Sequence, residues 1–156
     1  MNLARLLDPA RIAIGVDVRD RQAVLERLAD LIADADPALD RGEILASFLA
    51  RERLGSTGLG HGIAIPHGRS AAQREALGAC IVARAPLDYD ASDNQPVDIF
   101  IGLSVPAAAP AEHLVLLAAI AEALSQEAVR HDLRQAKDAA TAYRVLTAAG
   151  PAAGGR

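Results

Sequence analysis

The sequence predicts an α/β layer fold built on a mixed sheet. Short apolar runs at 11–14, 63–65, 76–83 and 97–105 read as strands, and segments with helical spacing separate them. The last three helical segments follow one another with no strand between them, so the sheet is mixed rather than strictly alternating. The chain has 156 residues, 51% of them hydrophobic and 23% charged, which suits one domain with a real core. Aromatic residues are 3% and Trp is absent, so that core rests on Leu, Ile, Val and Ala.

Taken in order, Leu3, Leu6 and Leu7 suggest a short opening helix or turn, and Arg11 to Ile14 a brief strand. Asp20 caps a helix that carries Val24, Leu25, Leu28, Leu31 and Ile32 on one face. Pro37 lies in a connection, and Asp40 with Glu43 makes a start like a capping box. The helix that follows places Ile44, Leu45, Phe48 and Leu49 on one stripe and ends before Gly55. Residues 55–62 hold four glycines, which rules out a regular helix. A strand at 63–65 is stopped by Pro66, leaving His67, Gly68 and Arg69 in the loop just past it. After the strand at 76–83, Asp93, Asn94, Gln95 and Pro96 supply turn chemistry before a buried strand over 97–105. Pro110 and Glu112 favour a helix start, with Leu114, Leu117, Ala121 and Leu124 at helical spacing. Ser125 caps a further helix to about 136, and Asp138 starts the last, to about 147. Residues 150–156 read as a frayed end.

Composition excludes several classes. A net charge of −4 with no dense Lys/Arg cluster argues against a nucleic-acid binder. Cys80 is the single cysteine, so no intrachain disulfide forms, and its apolar neighbours suit a buried small residue. The N-terminus lacks a signal-peptide pattern, and the longest apolar stretch, 114–121, is too short to cross a bilayer. The expectation is a cytoplasmic protein, not an integral membrane protein.

The candidate chemistry centres on His61, His67 and His113. The glycine-rich segment that includes Gly55, Ser56, Thr57, Gly58 and His61 lets backbone N–H groups approach an anion, and Gly68 extends that freedom beyond His67. The segment lacks the Walker pattern and the dinucleotide fingerprint. His67 follows a proline at a strand end. An unperturbed imidazole is roughly three-quarters neutral at pH 7, and neutral imidazole is a good nucleophile toward phosphorus. A structural histidine bonded to a loop carbonyl fits the local sequence equally well. His113 falls in the first turn of a helix, where a neutral ring suits an anion, although a surface histidine near a cap is the plainer reading. Arg51 or Arg53 places a guanidinium near the helix end before the loop, and spacing does not decide between them. A zinc site from His61, His67 and His113 is disfavoured by ligand spacing, so no metal and no cofactor is expected.

Residues 51–68, RERLGSTGLGHGIAIPHG, strongly resemble the active-site stretch of mannitol/fructose-type IIA domains (EIIA type 2) of the bacterial phosphoenolpyruvate-dependent phosphotransferase system. Residues 87–99 and Leu103-Ser104-Val105-Pro106 followed by His113-Leu114 extend the match in the right order, across about 3–147. Residues 148–156 are left as a flexible tail. The sequence looks most like the nitrogen-regulatory branch, IIA-Ntr. The resemblance implies a single-domain mixed β-sheet flanked by helices on both faces. By position it makes His67 the phosphorylated histidine, with His113 and Arg51 as helpers; His61 departs from the Asn common in the family. It further implies a phosphotransferase component that takes a phosphoryl group from HPr or its paralogue NPr without a metal or nucleotide. Its targets would be potassium transport systems or sensor kinases. Two alternatives stand beside it: a sugar-uptake IIA that donates to a IIB acceptor, and a regulatory module that only binds.

Overall fold

The computed structural model describes residues 3–108 and 110–149; positions 150–156 of the expected tail lie outside them. A short helix α1 (Leu3–Leu6) and a 3-10 turn (Pro9–Arg11) lead into strand β1 (Ile12–Val16). Helices α2 (Arg21–Ala33) and α3 (Arg41–Arg53) follow, then the short strands β2 (Gly58–Gly60), β3 (Ile63–Ala64) and β4 (His67–Ser70). Two long strands, β5 (Leu77–Leu87) and β6 (Val97–Pro106), precede α4 (Pro110–Leu124), α5 (Glu127–Gln135) and α6 (Ala139–Ala148).

The sheet is mixed, in the order β1-β5-β6-β3-β2, with β4 also on β6. β1 runs parallel to β5, β5 antiparallel to β6, and β3 and β4 both parallel to β6. Successive residues of a strand point to opposite faces, and here both faces are covered. Cys80, Val82, Ile99, Ile101, Leu103 and Val105 meet α1, α4, α5 and α6. Ala79, Ile81 and Phe100 meet α2 and α3, where Leu25, Leu28, Ile44 and Phe48 are buried. Two-sided burial explains why β5 and β6 are nearly continuous apolar runs. Burying one such large side chain contributes roughly 1.5–3 kcal/mol.

Several local expectations change. His67, Gly68 and Arg69 are not a loop; they open β4 and pair with Leu103, Ser104 and Val105. Pro66 has no N–H, so the ladder breaks there, but its carbonyl still accepts from Leu103 N–H at 2.9 Å and the strand resumes. Asp20 and Asp138 cap as expected, accepting from Ala23 and Thr141 N–H at 2.8 Å each. Asp40 caps α3 through Gly42 N–H, but Glu43 does not close a box. Its carboxylate reaches across to Ser70 Oγ at 2.6 Å and Ala71 N–H at 3.2 Å, tying α3 to β4. Ser125 is not the cap of α5: its hydroxyl donates back to Glu122 O, and Gln126 holds the cap position with no side-chain capping bond. On α4 the buried stripe is Leu116, Ile120, Ala123 and Leu124. The run 114–117 is apolar throughout, so periodicity alone left the face open; the sheet selects one and leaves Leu114 and Val115 exposed. α6 runs through Ala148, one residue beyond the expected end.

Candidate functional site

The edge where α3 crosses β4 brings together the side chains of Arg51, His67 and His113. Helix and strand approach closely because position 68 is glycine. A Cβ there would collide with Ser47 of α3, whose hydroxyl instead accepts from Arg69 N–H at 2.8 Å. His67, half-buried, is thereby fixed on the first residue of β4.

Two contacts define its protonation. Nδ1 lies 2.8 Å from Ile65 O, and a carbonyl only accepts, so Nδ1 carries the hydrogen. Nε2 lies 3.2 Å from Arg51 Nε, and a guanidinium only donates, so Nε2 presents a bare lone pair. Burial pushes the imidazole below its ordinary pKa; the Ile65 carbonyl opposes this, the Arg51 charge adds to it, and Glu52 weakly opposes it. The ring is held neutral, with its free lone pair on Nε2.

Arg51 stands in the last turn of α3 and is pinned by a second bond, Nη1 to Gly55 O at 2.8 Å. Arg53 is exposed and lines a separate cleft with Asp20, Arg21, Gln22 and Leu49, so geometry puts Arg51 at the imidazole. His113, in the first turn of α4, meets His67 edge-on, with ring centroids 5.0 Å apart at 81°. Its Nδ1 is buried and has no hydrogen-bond partner among the described residues. Burial, then the charges of His67, Arg69 and Arg51, push its pKa down as well. An unsatisfied buried nitrogen costs roughly 1–3 kcal/mol, which an incoming acceptor oxygen would offset.

Three amides of the glycine segment already have partners within the protein. Gly55 N–H donates to Glu52 O at 3.1 Å, Thr57 N–H to Glu52 Oε1 at 3.2 Å and Gly58 N–H to Ser56 Oγ at 3.0 Å. These amides are spent inside the protein. Gly58 is small for packing: a Cβ there would lie 2.7 Å from that of Ala91.

His61 is set apart from the cluster. It is exposed, with φ +57°; its N–H donates to Asp93 Oδ2 at 3.2 Å and its carbonyl accepts from Arg134 Nη2 at 2.9 Å. The next residue, Gly62, pairs at Asp98 and Ile99, whereas His67 pairs at Leu103. Five strand residues separate those levels, roughly 16 Å. The His61 ring faces a cleft of about 450 Å³ that it lines with Glu127, Arg130, His131, Arg134 and Gln135, so it takes no part in the cluster around His67.

Sequence reasoning passed over Glu52, which is 5% exposed and accepts from Thr57 and Tyr89. The signal was available: Glu52 continues the buried spacing Ile44, Phe48, so a carboxylate lies on an apolar stripe. Among the described residues, no three His, Cys, Asp or Glu side chains converge to hold a metal, and no helix is long and apolar enough to cross a membrane.

The sequence model for the phosphoenolpyruvate-dependent sugar phosphotransferase system, EIIA 2, matches residues 5–149. A protein named nitrogen regulatory protein from Pseudomonas aeruginosa is 41% identical over 146 residues, covering 94% of this chain and 95% of that one. The crystal structure of nitrogen regulatory protein IIA-Ntr from Neisseria meningitidis superposes with a TM-score of 0.86 at 35% identity, over 93% of this chain and 99% of that one. The IIA mannitol structure from Escherichia coli, 17% identical, shares the fold with a TM-score of 0.75 over 89% and 97% of the two chains.

Proposed function

The chain belongs to the EIIA 2 family of the phosphoenolpyruvate-dependent sugar phosphotransferase system, and we propose that it is a phosphocarrier of the nitrogen-regulatory kind. In this reading Nε2 of His67 takes a phosphoryl group in the cytoplasm from a phosphohistidine of HPr or NPr. The phosphorylation state then regulates partner proteins, with potassium transport systems and sensor kinases as candidate classes. The observation that carries the proposal is the two-sided hold on His67: Ile65 O at Nδ1 and Arg51 Nε at Nε2.

The step is an in-line displacement. The P–N bond of the donor breaks as the P–Nε2 bond forms, and the bonding pair returns to the donor ring. The proton stays on Nδ1 and is donated to Ile65 O, so the ring gains positive character where a carbonyl faces it. Because the donor is already an activated phosphoramidate, positioning and charge stabilisation do most of the work. Arg51 swings its donor from Nε2 to an equatorial oxygen, and the unpartnered Nδ1 of His113 meets another. Depressed pKa values at both rings keep them neutral, so the acceptor lone pair is not lost to a proton. Similarity to proteins named nitrogen regulatory protein favours regulation as the output.

The test is transfer from radiolabelled phospho-HPr and phospho-NPr to the wild type and to His67→Ala. The wild type takes acid-labile label and the folded variant takes none; undiminished labelling of the variant removes His67 as the acceptor.

A further inference from the structure

Glu52 is a buried carboxylate whose hydrogen bonds go to Thr57 and Tyr89 rather than to His67. An isolated buried charge is costly and persists only when donors surround it. Here Thr57 N–H reaches Oε1 at 3.2 Å, while the Thr57 hydroxyl and the Tyr89 hydroxyl, the latter at 3.1 Å, both reach Oε2. Burial, with the Glu52 charge next, pushes the Tyr89 phenol far up, so it stays a donor at physiological pH.

The bonds continue toward the site. Thr57 O accepts from Ile65 N–H at 3.1 Å, and Ile65 O accepts from His67 Nδ1–H at 2.8 Å. Glu52 is also the neighbour of Arg51 on α3, so the two side chains leave the helix about 100° apart. One helix therefore grips the same imidazole at both nitrogens: directly at Nε2 through Arg51, and at Nδ1 through Glu52, Thr57 and Ile65. The grip matters because a free neutral imidazole in water favours the opposite tautomer, with hydrogen on Nε2, which leaves no lone pair on Nε2 to attack phosphorus.

We propose that Glu52 is a positioning residue for phosphoryl transfer: through Thr57 and Ile65 it holds the Nδ1–H tautomer of His67 and keeps the attacking lone pair on Nε2. This rests on His67 being the acceptor. The hold is shared, because Leu103 N–H also fixes Pro66 O at 2.9 Å. Loss of Glu52 therefore gives a mixture of tautomers rather than a complete switch.

The experiment compares the full-length wild type, Glu52→Gln and Tyr89→Phe by 15N NMR of labelled histidines and by transfer rate from phospho-HPr or phospho-NPr. The wild type shows His67 predominantly as the Nδ1–H tautomer. Glu52→Gln, with three donors facing one amide oxygen, shows a mixture and accepts phosphoryl about tenfold more slowly. Tyr89→Phe keeps both Thr57 bonds, and it keeps the wild-type tautomer and a rate within about threefold. A folded Glu52→Gln with the wild-type tautomer overturns the proposal whether or not its rate falls, since a merely structural role slows transfer without moving the tautomer. Should Glu52→Gln not fold, Thr57→Val decides: a mixture supports the proposal and a wild-type spectrum overturns it. If the wild type takes no phosphoryl on His67, the acceptor reading fails by itself, and the tautomer comparison still tests the path from Glu52.

Discussion

Replacing Arg51 by alanine removes two things at once. The first is a guanidinium 3.2 Å from the attacking nitrogen, placed to turn onto the phosphoryl oxygens. Loss of one preorganised oxyanion donor costs about 10²–10³ in rate in a water-excluded site. Arg51 is only half-buried, so the lower end applies, about a hundredfold. The second is a cation that helps hold the His67 pKa down. Without it the His67 pKa rises, and more of the acceptor is protonated at low pH. The deficit therefore widens as pH falls: about a hundredfold near pH 8, and larger toward pH 6. Rapid-quench transfer from phospho-HPr or phospho-NPr across that range measures both effects, with Arg53→Ala as the control that stays at the wild-type rate. A wild-type rate for Arg51→Ala, or an equal loss in Arg53→Ala, refutes the assignment.

Three further outcomes follow from the geometry. His67 and His113 both have pKa values depressed by folding, so the unfolded chain binds more protons below the ordinary imidazole pKa of about 6.5. Stability is fully present above that pH and is lost as pH falls through and below it; urea midpoints measured across pH should show this, with a shallower slope in His113→Gln. His61→Asn leaves phosphohistidine lifetimes superimposable on the wild type at every pH, because His61 lies at the Asp98 level of β6 and Asn tolerates its φ of +57°; diverging curves would place His61 back at the site. Gly68→Ala drives a methyl group into Ser47 and costs about 1–3 kcal/mol, read as a lower melting temperature, whereas an unchanged midpoint means α3 and β4 are not so closely packed.

The elements with strong local signals were legible. Asp20 and Asp138 cap their helices through side-chain oxygens, and the apolar runs over 97–105 and 76–83 become the central strands. What was hidden depends on contacts between distant segments. β4 cannot be read locally, because Pro66 signals a stop and only the partner Leu103 reveals that the ladder resumes. Glu43 looks like a capping-box residue until Ser70, 27 residues away, takes its carboxylate. The choice between Arg51 and Arg53 rests on the direction each leaves α3, which spacing toward the loop does not encode. His61 misled for the same reason. His67 lies six positions further on, but β3 and the stretch leading into β4 spend those positions running along β6. The glycines suggested an anion cradle by composition alone, and the buried Glu52 had already taken the Thr57 amide while Ser56 took that of Gly58.

The most direct measurement is the bond itself. The 15N-histidine-labelled chain, phosphorylated by phospho-HPr or phospho-NPr, is examined by 31P–15N NMR. The account predicts one phosphoryl group per chain, bonded to Nε2 of His67, with Nδ1 still protonated against the Ile65 carbonyl. Phosphorus on Nδ1 of His67, on His113 or on no histidine contradicts it.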